Sequence, residues 1–345
     1  MKIALIEPSN LSHRVRGTGF YLENLLRSFK KYFPNDEITL SAKTTRNADI
    51  IHYPFFEPFF LSLPLLKNKK TVVTVHDLTP IKFSKYFPVG FRGSLKWQIQ
   101  KLSLKNADAV ITDSKNSKTD ILKFAGVAED KVHVVYLAAS EEFDNPMSEN
   151  KLQETTEKYN LPEEFLLYVG DVTWNKNLPS LIKAVSKTDY KLVIAGKAFV
   201  QKDFDKSNLW NQGLLEAQKL ADSNKKILSI GFVEKDDLKA IYRLAKVFIM
   251  PSIYEGFGLP VLEAMASGCP VVTTQEGSLK EVAGDSALFV NPYNIDSIAE
   301  GVKEIMSNET LRKNLSEKGK KQALKFSWRK TAEETLKVYR KVLNE

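Results

Sequence analysis

Residues 247–274 read VFIMPSIYEGFGLPVLEAMASGCPVVTT, and this stretch decides the fold class. It opens with a short apolar run ending at Met250 and closes with a second run at 270–273. Between them Pro260 stands where a first helical residue would, and Gly268 stands where a helix would end. A strand, a loop, a short helix and another strand in this order are typical of a parallel sheet covered by helices.

The same alternation extends over the whole chain. Apolar runs rich in Val and Ile predict strands at 2–6, 37–40, 48–52, 71–75, 109–112, 131–136, 165–169, 191–195, 226–230, 247–250, 270–273 and 287–290. Helical spacing predicts helices at 21–33, 93–104, 117–124, 178–186, 214–222, 235–244, 260–267 and 295–305, and two more within 308–345. Two such series predict an α/β protein of two doubly wound, Rossmann-like parallel-sheet domains facing across a cleft.

A polar, acidic stretch at 140–163 carries no strand signal and separates the two series. We therefore expect one domain at 1–150 and a second at 151–325. The final helix, at 326–345, is expected to return to the first domain, and Ser327 is a plausible N-cap for it.

Composition excludes several classes of protein. The 345 residues are 43% hydrophobic and 27% charged, which excludes a chain disordered over most of its length. No apolar stretch reaches the roughly 18 residues of a membrane span, and Glu7 and Pro8 interrupt the first apolar run too early for a secretory signal. Cys269 has no cysteine partner, so the sequence predicts a cytoplasmic protein. The formal charge of +8 fits an anionic partner, although surface lysines that only keep a protein soluble are the default interpretation.

The loop after Met250 carries the residues best suited to chemistry. Gly256 and Gly258 allow backbone to approach a ligand closely, and the helix that follows presents roughly half a positive charge at its N-terminus. Such a terminus suits a phosphate. Glu255 and Glu263 supply carboxylates that accept hydrogen bonds from sugar hydroxyls. Two solvated glutamates beside a simple turn are the alternative.

Residues 255–266, EGFGLPVLEAMA, resemble the signature of retaining glycosyltransferases of family four, which have the GT-B fold and pair two glutamates separated by seven residues. The resemblance covers nearly the whole chain. It includes 168–170 with 176–178, 277–282 with 284–285, the glycine motif 17–19, the pair 76–77 and the run 107–114 (ADAVITDS). The sequence is therefore similar to a two-domain glycosyltransferase with an N-terminal acceptor-side domain and a C-terminal nucleotide-sugar-binding domain.

The resemblance implies roles for individual residues. Glu255 would lie near the donor hexose, Glu263 would hold the ribose, and Lys176 would bind the diphosphate. Residues 171–175 contain no arginine, so neutralisation of the diphosphate rests on Lys176, the helix N-terminus and the glycine loop. The remaining donor-binding positions implied are Gly17, Thr18, Gly19, Gly170, Val233, Gly256, Phe257, Gly258 and Leu259.

Three further features of the N-terminal half are a histidine at the end of an apolar run, the other histidines and a glycine motif. His76 ends an apolar run, and the resemblance places it against the donor sugar as a catalytic residue beside Glu255; a structural histidine is the alternative. His52 has less support, and His13 and His133 are interpreted as surface or structural residues. Gly17-Thr18-Gly19 fails as a dinucleotide fingerprint because position 22 is Leu, and a glycine turn that closes over donor phosphates fits better.

Asp203 and Asp205 form a DxD pair without a preceding strand, so we interpret them as a solvated loop. No Cys/His cluster exists in the sequence, and we predict no metal and no cofactor.

Residues 78–107 contain six basic residues, several aromatic residues and no acidic residue. The favoured interpretation is a helix with an apolar core face and lysines in water. The alternative is peripheral contact with an anionic membrane at the inner face or with a lipid-linked acceptor. Nucleic-acid binding is not expected, because no nucleic-acid module is recognisable.

Together these features predict a retaining hexosyltransferase acting on a glycan or lipid-linked glycan. Likeness to mannosyltransferases of surface polysaccharide or lipid-linked glycan assembly makes GDP-mannose the first donor, ahead of UDP-glucose and other UDP-hexoses. A sugar-nucleotide epimerase of the same fold and a catalytically inactive sugar-nucleotide-binding protein are the alternatives. A dehydrogenase would need the dinucleotide fingerprint that is broken here.

Overall fold

The computed structural model describes residues 1–7, 17–42 and 47–344. The chain divides into two compact units, which are described separately: unit 1 is Met1–Ala138 with Phe326–Glu345, and unit 2 is Ala139–Lys325.

Residues 139–150 were expected to end the first domain, but they belong to unit 2. The Phe143 ring packs edge-on against Tyr242, and the Arg243 guanidinium donates to the carbonyls of Phe143 and Asn145. The polar composition of this stretch suggested a linker, yet its one buried aromatic residue fixes it to unit 2.

Each unit contains one six-stranded parallel sheet. The strands are β1 Lys2–Ile6, β2 Glu37–Ser41, β3 Ile50–Tyr53, β4 Lys70–Thr74, β5 Ala109–Thr112, β6 Val132–Val134, β7 Phe165–Val169, β8 Lys191–Ala195, β9 Ile227–Gly231, β10 Val247–Met250, β11 Val271–Thr273 and β12 Leu288–Phe289. Their order is β2-β1-β3-β4-β5-β6 in unit 1 and β12-β11-β10-β7-β8-β9 in unit 2. The expected α/β fold with two Rossmann-like parallel sheets is confirmed.

Helices connect most of the successive strands, with no helix between β3 and β4, where residues 54–69 are all described. They are α1 Gly17–Tyr32, α2 Thr79–Lys82, α3 Gly90–Lys105, α4 Lys115–Asp120, α5 Glu149–Tyr159, α6 Leu178–Ser186, α7 Gln212–Asp222, α8 Lys235–Leu244, α9 Leu259–Ala266, α10 Leu279–Ala283, α11 Ile295–Ser307, α12 Glu309–Ala323 and α13 Trp328–Leu343. A π-helical turn at Ile121–Ala125 continues α4. Among the described residues, no helix combines the length and the apolarity that crossing a bilayer requires.

Apolar side chains from strands and helices form a core in each unit. In unit 2, Leu166, Leu192 and Ile249 of the sheet are fully buried with Leu181 of α6 and Val302 of α11. Strands covered on both faces need apolar side chains at every position, which is why they appear in the sequence as short continuous apolar runs.

The final helix completes unit 1 through a buried polar chain. Tyr339 of α13 lies 2.6 Å from His52 Nδ1, and His52 Nε2 lies 2.8 Å from the Thr74 hydroxyl, which is 3.2 Å from the Tyr21 hydroxyl. All four side chains are buried, so each polar atom needs a protein partner. Ser327 accepts from the N–H of Lys330, which confirms it as the N-cap.

Helix α3 has a core face that is only partly apolar. Leu104 lies in the unit 1 core and Trp97 packs against it, in line with the interpretation favoured for residues 78–107. Gln100 is buried as well, because its side chain accepts hydrogen bonds from the N–H groups of Ser62 and Leu63. Phe91 and Leu102 are exposed, so part of the apolar pattern faces solvent.

Candidate functional site

Lys176 and Glu255 meet at the topological switch point of the unit 2 sheet. Strand β7 is paired on one side with β8 and on the other with β10, so the chain order reverses between β7 and β10. Lys176 follows β7 and Glu255 follows β10, and Lys176 Nζ lies 2.7 Å from Glu255 Oε2. Open α/β sheets bind their ligands at such a point, beyond the carboxyl ends of the strands.

Two asparagines fasten these loops together. The Asn175 amide donates to the carbonyl of Tyr254 at 2.9 Å, and the N–H of Ile253 donates to the Asn175 carbonyl at 2.7 Å. The Asn177 amide donates to the carbonyl of Pro251 at 3.0 Å. The Lys176 backbone is therefore fixed between two anchors. Sequence reasoning missed both, since their partners lie more than seventy residues away.

The turn before α10 holds the backbone around Glu255. The Ser278 hydroxyl lies 2.9 Å and 2.8 Å from the carbonyls of Glu255 and Phe257, and the Ser278 N–H donates to the Glu255 carbonyl. Gly277 has φ +60°, and a Cβ there would lie 2.6 Å from the Glu255 carbonyl oxygen, so only glycine fits. Glu255 is 6% exposed, and its Oε1 has no hydrogen-bond partner among the described residues. One carboxylate oxygen is thus left for a ligand.

Helix α9 begins directly after the glycine loop, as predicted. Gly258 precedes it with φ +100°, and a Cβ there would lie 2.8 Å from Leu279 Cδ2. Pro260 stands in the first turn, and Gly268 lies just beyond the helix end. Gly256, Phe257 and Gly258 are buried ahead of the helix N-terminus, whose dipole favours a negative charge.

Glu263 lies in the second turn of α9 and receives a hydrogen bond from Tyr242. The Tyr242 hydroxyl donates to Glu263 Oε2 at 3.1 Å. Burial raises the pKa of Glu263 to about 7, although the hydrogen bond from Tyr242 and the charge of Lys235 both oppose that rise. The carboxyl group therefore titrates near neutral pH. Tyr242 was not a predicted site residue, and its pairing with Glu263 depends on the packing of α8 on α9.

The other predicted donor-binding residues of unit 2 lie at the carboxyl edge of the same sheet. Gly170 follows β7 directly, and its N–H donates to the carbonyl of Ala195 at the end of β8. Val233 follows β9 and is half-buried. Parallel strands end at one edge, so these residues share it with Lys176 and Glu255.

Gly17, Thr18 and Gly19 lie within α1, which the structure describes from Gly17 onward, so these residues are helical and do not form the expected glycine turn. Gly17 is exposed, and the other two residues are half-buried.

His76 and Asp113 form a close pair in unit 1. They follow the neighbouring strands β4 and β5, and His76 Nδ1 lies 2.7 Å from Asp113 Oδ2. Burial opposes the charged imidazole, but the Asp113 carboxylate outweighs it and raises the pKa of His76. His76 Nε2 is buried without a partner among the described residues. With Nδ1 bonded to the carboxylate, Nε2 is the atom that can donate to a ligand.

The remaining histidines are His52, His133 and His13. His52 has a structural role, because both of its ring nitrogens are hydrogen-bonded inside unit 1, Nδ1 with the Tyr339 hydroxyl and Nε2 with the Thr74 hydroxyl. His133 lies half-buried in β6. His13 lies outside the described residues.

Asp203 and Asp205 lie in an exposed loop, and Asp205 accepts hydrogen bonds from the N–H and hydroxyl of Ser207. Within residues 1–7, 17–42 and 47–344, no three His, Cys, Asp or Glu side chains are grouped closely enough to hold a metal ion.

Two family models match most of the chain. Residues 151–322 match the model described as glycosyl transferases group 1, and residues 7–142 match the model described as glycosyltransferase family 4. These ranges cover most of unit 2 and of unit 1, respectively.

Two of the proteins similar to this chain are mannosyltransferases of Escherichia coli. The serotype-specific mannosyltransferase WbdA is 30% identical over 282 residues, which cover 79% of this chain and 34% of WbdA. The O-antigen chain mannosyltransferase B is 29% identical over 284 residues, covering 79% of this chain and 70% of that protein. The chain thus spans about one third of the length of WbdA.

Solved structures share the fold at low sequence identity. Sucrose-phosphate synthase from Thermosynechococcus elongatus superposes with a TM-score of 0.76 at 19% identity, covering 100% of this chain and 99% of that one. HepE of Anabaena, solved in complex with UDP-glucose, superposes with a TM-score of 0.74 at 15% identity, covering 100% of both chains.

Proposed function

Because this chain belongs to glycosyltransferase family four and has the GT-B fold, we propose that it moves a hexose from a nucleotide diphosphate sugar to an acceptor hydroxyl with retention of anomeric configuration. The observation that carries the proposal is the pair of Lys176 and Glu255 at the switch point of unit 2, directly ahead of the α9 N-terminus. A diphosphate needs a cation and backbone donors, and a sugar needs a carboxylate acceptor.

Donor binding reorganises the ion pair in this scheme. The diphosphate carries more negative charge than one carboxylate, so it competes for the Lys176 ammonium. Glu255 is then released to accept hydrogen bonds from hexose hydroxyls, beginning with the oxygen that lacks a partner. Glu263 holds the ribose diol in its ionised form, and the half-buried Val233 lies close to the nucleoside.

Transfer follows a front-face course. The acceptor hydroxyl attacks the anomeric carbon on the side from which the diphosphate leaves, the C–O bond to the diphosphate breaks, and a phosphate oxygen takes the acceptor proton. Lys176 and the α9 N-terminus stabilise the charge that builds up on the leaving diphosphate. The scheme needs no metal and no cofactor.

His76 is proposed to contact the donor sugar through Nε2. Asp113 holds Nδ1 and favours the charged imidazole, so Nε2 donates a hydrogen bond to a sugar oxygen. Asp113 therefore acts as a positioning residue. Gly17, Thr18 and Gly19 are proposed to approach the donor phosphates, since the two glycines let backbone come close to a ligand.

GDP-mannose is the first donor proposed, and relatives named as mannosyltransferases support it. UDP-glucose is the second donor, supported by the complex of the structurally similar HepE. The acceptor proposed is a glycan or a lipid-linked glycan, and the protein would work in the cytoplasm at the inner face of the membrane, without nucleic acid as a partner.

Incubation with a panel of sugar nucleotides tests the proposal. We expect release of GDP from GDP-mannose that accelerates with an extract of lipid-linked glycan, and NMR of the product should show the donor's anomeric configuration. Rearrangement of a UDP-sugar without an acceptor would favour an epimerase. Tight donor binding with no turnover on any acceptor would favour an inactive binding protein.

A further inference from the structure

The imidazole of His76 is held by one hydrogen bond, which does not fix the plane of the ring. Asp113 holds Nδ1 at 2.7 Å, but a ring held at one nitrogen can still pivot about that bond. The His76 side chain is 25% exposed, so part of the ring is open to solvent. A contact that limits the pivoting must therefore come from the interior of unit 1.

Tyr21 of α1 supplies such a contact. The rings of Tyr21 and His76 have centroids 5.0 Å apart and planes that cross at 84°, which is the edge-to-face geometry that aromatic pairs prefer. Tyr21 is 1% exposed, and in a close-packed interior its ring cannot move aside without displacing its neighbours. The phenol ring therefore limits the range through which the imidazole can turn.

Two further contacts fix the Tyr21 side chain itself. The ring of Trp328, the first residue of α13, has its centroid 6.2 Å from that of the Tyr21 ring. The Tyr21 hydroxyl lies 3.2 Å from the hydroxyl of Thr74, which precedes His76 by two positions. Side chains two positions apart on an extended chain point to the same face. Tyr21 thus contacts Thr74 with its hydroxyl and His76 with its ring.

The buried polar chain continues from Thr74 to the final helix. His52 Nε2 lies 2.8 Å from the Thr74 hydroxyl, and His52 Nδ1 lies 2.6 Å from the hydroxyl of Tyr339 in α13. Burial lowers the pKa of His52 to about 3 and raises the pKa of Tyr21 above its ordinary value, so both side chains are uncharged near neutral pH. The chain therefore acts on His76 through position rather than through charge.

We propose that Tyr21 is a positioning residue for His76. Asp113 fixes one nitrogen of the imidazole and Tyr21 fixes the plane of the ring, so Nε2 keeps one direction toward the donor sugar. Helix α13 supports Tyr21 at both ends, with Trp328 against its ring and the chain from Tyr339 behind its hydroxyl. The expected effect on turnover rests on the proposed function, whereas the contact between the two rings does not.

NMR of the full-length protein tests the contact without any substrate. We expect a nuclear Overhauser effect between the ring protons of Tyr21 and His76, and a shift of the His76 ring signals in Tyr21→Leu, which removes the ring current. The control Leu104→Ala truncates a fully buried side chain of α3 outside this chain of contacts, and it should leave the His76 signals in place.

A second variant covers the case in which Tyr21→Leu does not fold. Tyr21→Met also lacks a ring, but its flexible side chain fills irregular space in a core. His76 signals that stay in place in the ringless variants would overturn the proposal, and so would the absence of the Overhauser effect in the parent.

Initial rates of GDP release from GDP-mannose, with acceptor extract present, test the effect on turnover. In Tyr21→Leu we expect kcat to fall by about tenfold to a hundredfold, while KM for the donor changes by less than about threefold. Tyr21→Phe keeps the ring and should retain kcat to within a few-fold of the parent. In the His76→Ala background, Tyr21→Leu should lower kcat no further, because its effect passes through His76.

The double variant separates positioning from a merely structural role. An equal fall of kcat on adding Tyr21→Leu to the parent and to His76→Ala would show that Tyr21 acts independently of His76, and would overturn the proposal. A parent that releases no nucleotide would contradict the proposed function alone, and the NMR measurements would still decide whether Tyr21 positions His76.

Discussion

Lys176 and Glu255, seventy-nine positions apart in sequence, join the loops that leave the two strands at the switch point of the unit 2 sheet, with Nζ 2.7 Å from Oε2. Glu255 is nearly buried and Lys176 is about one-fifth exposed, so the pair is well shielded from water. Each charge neutralises the other while the donor is absent. In the proposed function, the donor diphosphate replaces Glu255 as the partner of Lys176, and the sugar hydroxyls replace Lys176 as the partner of Glu255.

Glu255→Gln should separate binding from turnover. The neutral amide no longer holds Lys176, so we expect the affinity for free GDP to rise by several-fold, as is reasonable for a released charged hydrogen bond. Turnover should fall by about a hundredfold or more, since the carboxylate is needed at the sugar. Calorimetry with GDP and initial-rate assays measure the two effects. A GDP affinity that drops together with turnover would contradict the exchange of partners.

Donor affinity should depend on the ionisation of Glu263. The pKa of this carboxyl is raised to about 7, and only the ionised form accepts two hydrogen bonds from the ribose diol. Affinity should therefore be highest above pH 7 and weaken as pH falls through that value. In Tyr242→Phe the ionised form loses a hydrogen bond, so the midpoint should move upward by about one pH unit or less. Calorimetric titrations of donor across this pH range check both statements. A midpoint that stays in place in the variant would assign the pH dependence to another group.

Asp113→Asn should lower the pKa of His76. The Asp113 carboxylate raises the pKa of the imidazole against the effect of burial, and the charges of Asp77 and Glu57 contribute less. With an amide at position 113, burial is opposed only by those weaker charges, so the pKa of His76 should fall. NMR titration of the His76 ring protons measures it. Asp108→Asn, which alters an aspartate paired with Lys70 elsewhere in the unit, is the control and should leave His76 unchanged. An unshifted His76 in Asp113→Asn would show that the pair does not control its charge.

The strand pattern was largely predictable from the sequence, and the contacts across the sheet were not. Strands β7, β8 and β10 match their predicted bounds to the residue, because strands buried on both faces are apolar throughout. The pairing of His76 with Asp113 depends on β4 lying beside β5, which no local pattern specifies. The contacts of Asn175 and Asn177 were not predicted for the same reason, since their partners lie in a distant part of the sequence.

Helix α3 shows a second limit of prediction. Its apolar residues repeat at helical spacing, and such residues normally face the core, as Leu104 does. Phe91 and Leu102 face solvent instead, whereas Gln100 is buried because it binds the backbone of a neighbouring loop. The contact between Gln100 and Leu63 spans 37 residues, so the direction in which the helix faces is a tertiary property.

Unit 1 should lose stability in acid through His52. Burial lowers the pKa of His52 from 6.5 to about 3, so between these values the unfolded chain binds a proton that the folded chain does not. This contribution is complete above about pH 6.5 and declines as pH falls, by up to about 1.4 kcal/mol per pH unit. Urea unfolding at several pH values measures the slope. His52→Gln should be less stable at neutral pH but have a shallower slope in acid; equal slopes would mean that other groups control acid unfolding.

Calorimetric titration of GDP-mannose into Lys176→Ala and the parent tests the central claim most directly. The control is Lys183→Ala, which removes an exposed lysine of α6 paired with Glu216 in the same unit. Loss of one charged hydrogen bond to a diphosphate predicts a Kd about tenfold to a hundredfold higher in Lys176→Ala and unchanged in the control. A Kd for Lys176→Ala equal to that of the parent would contradict the assignment of the unit 2 switch point as the donor site.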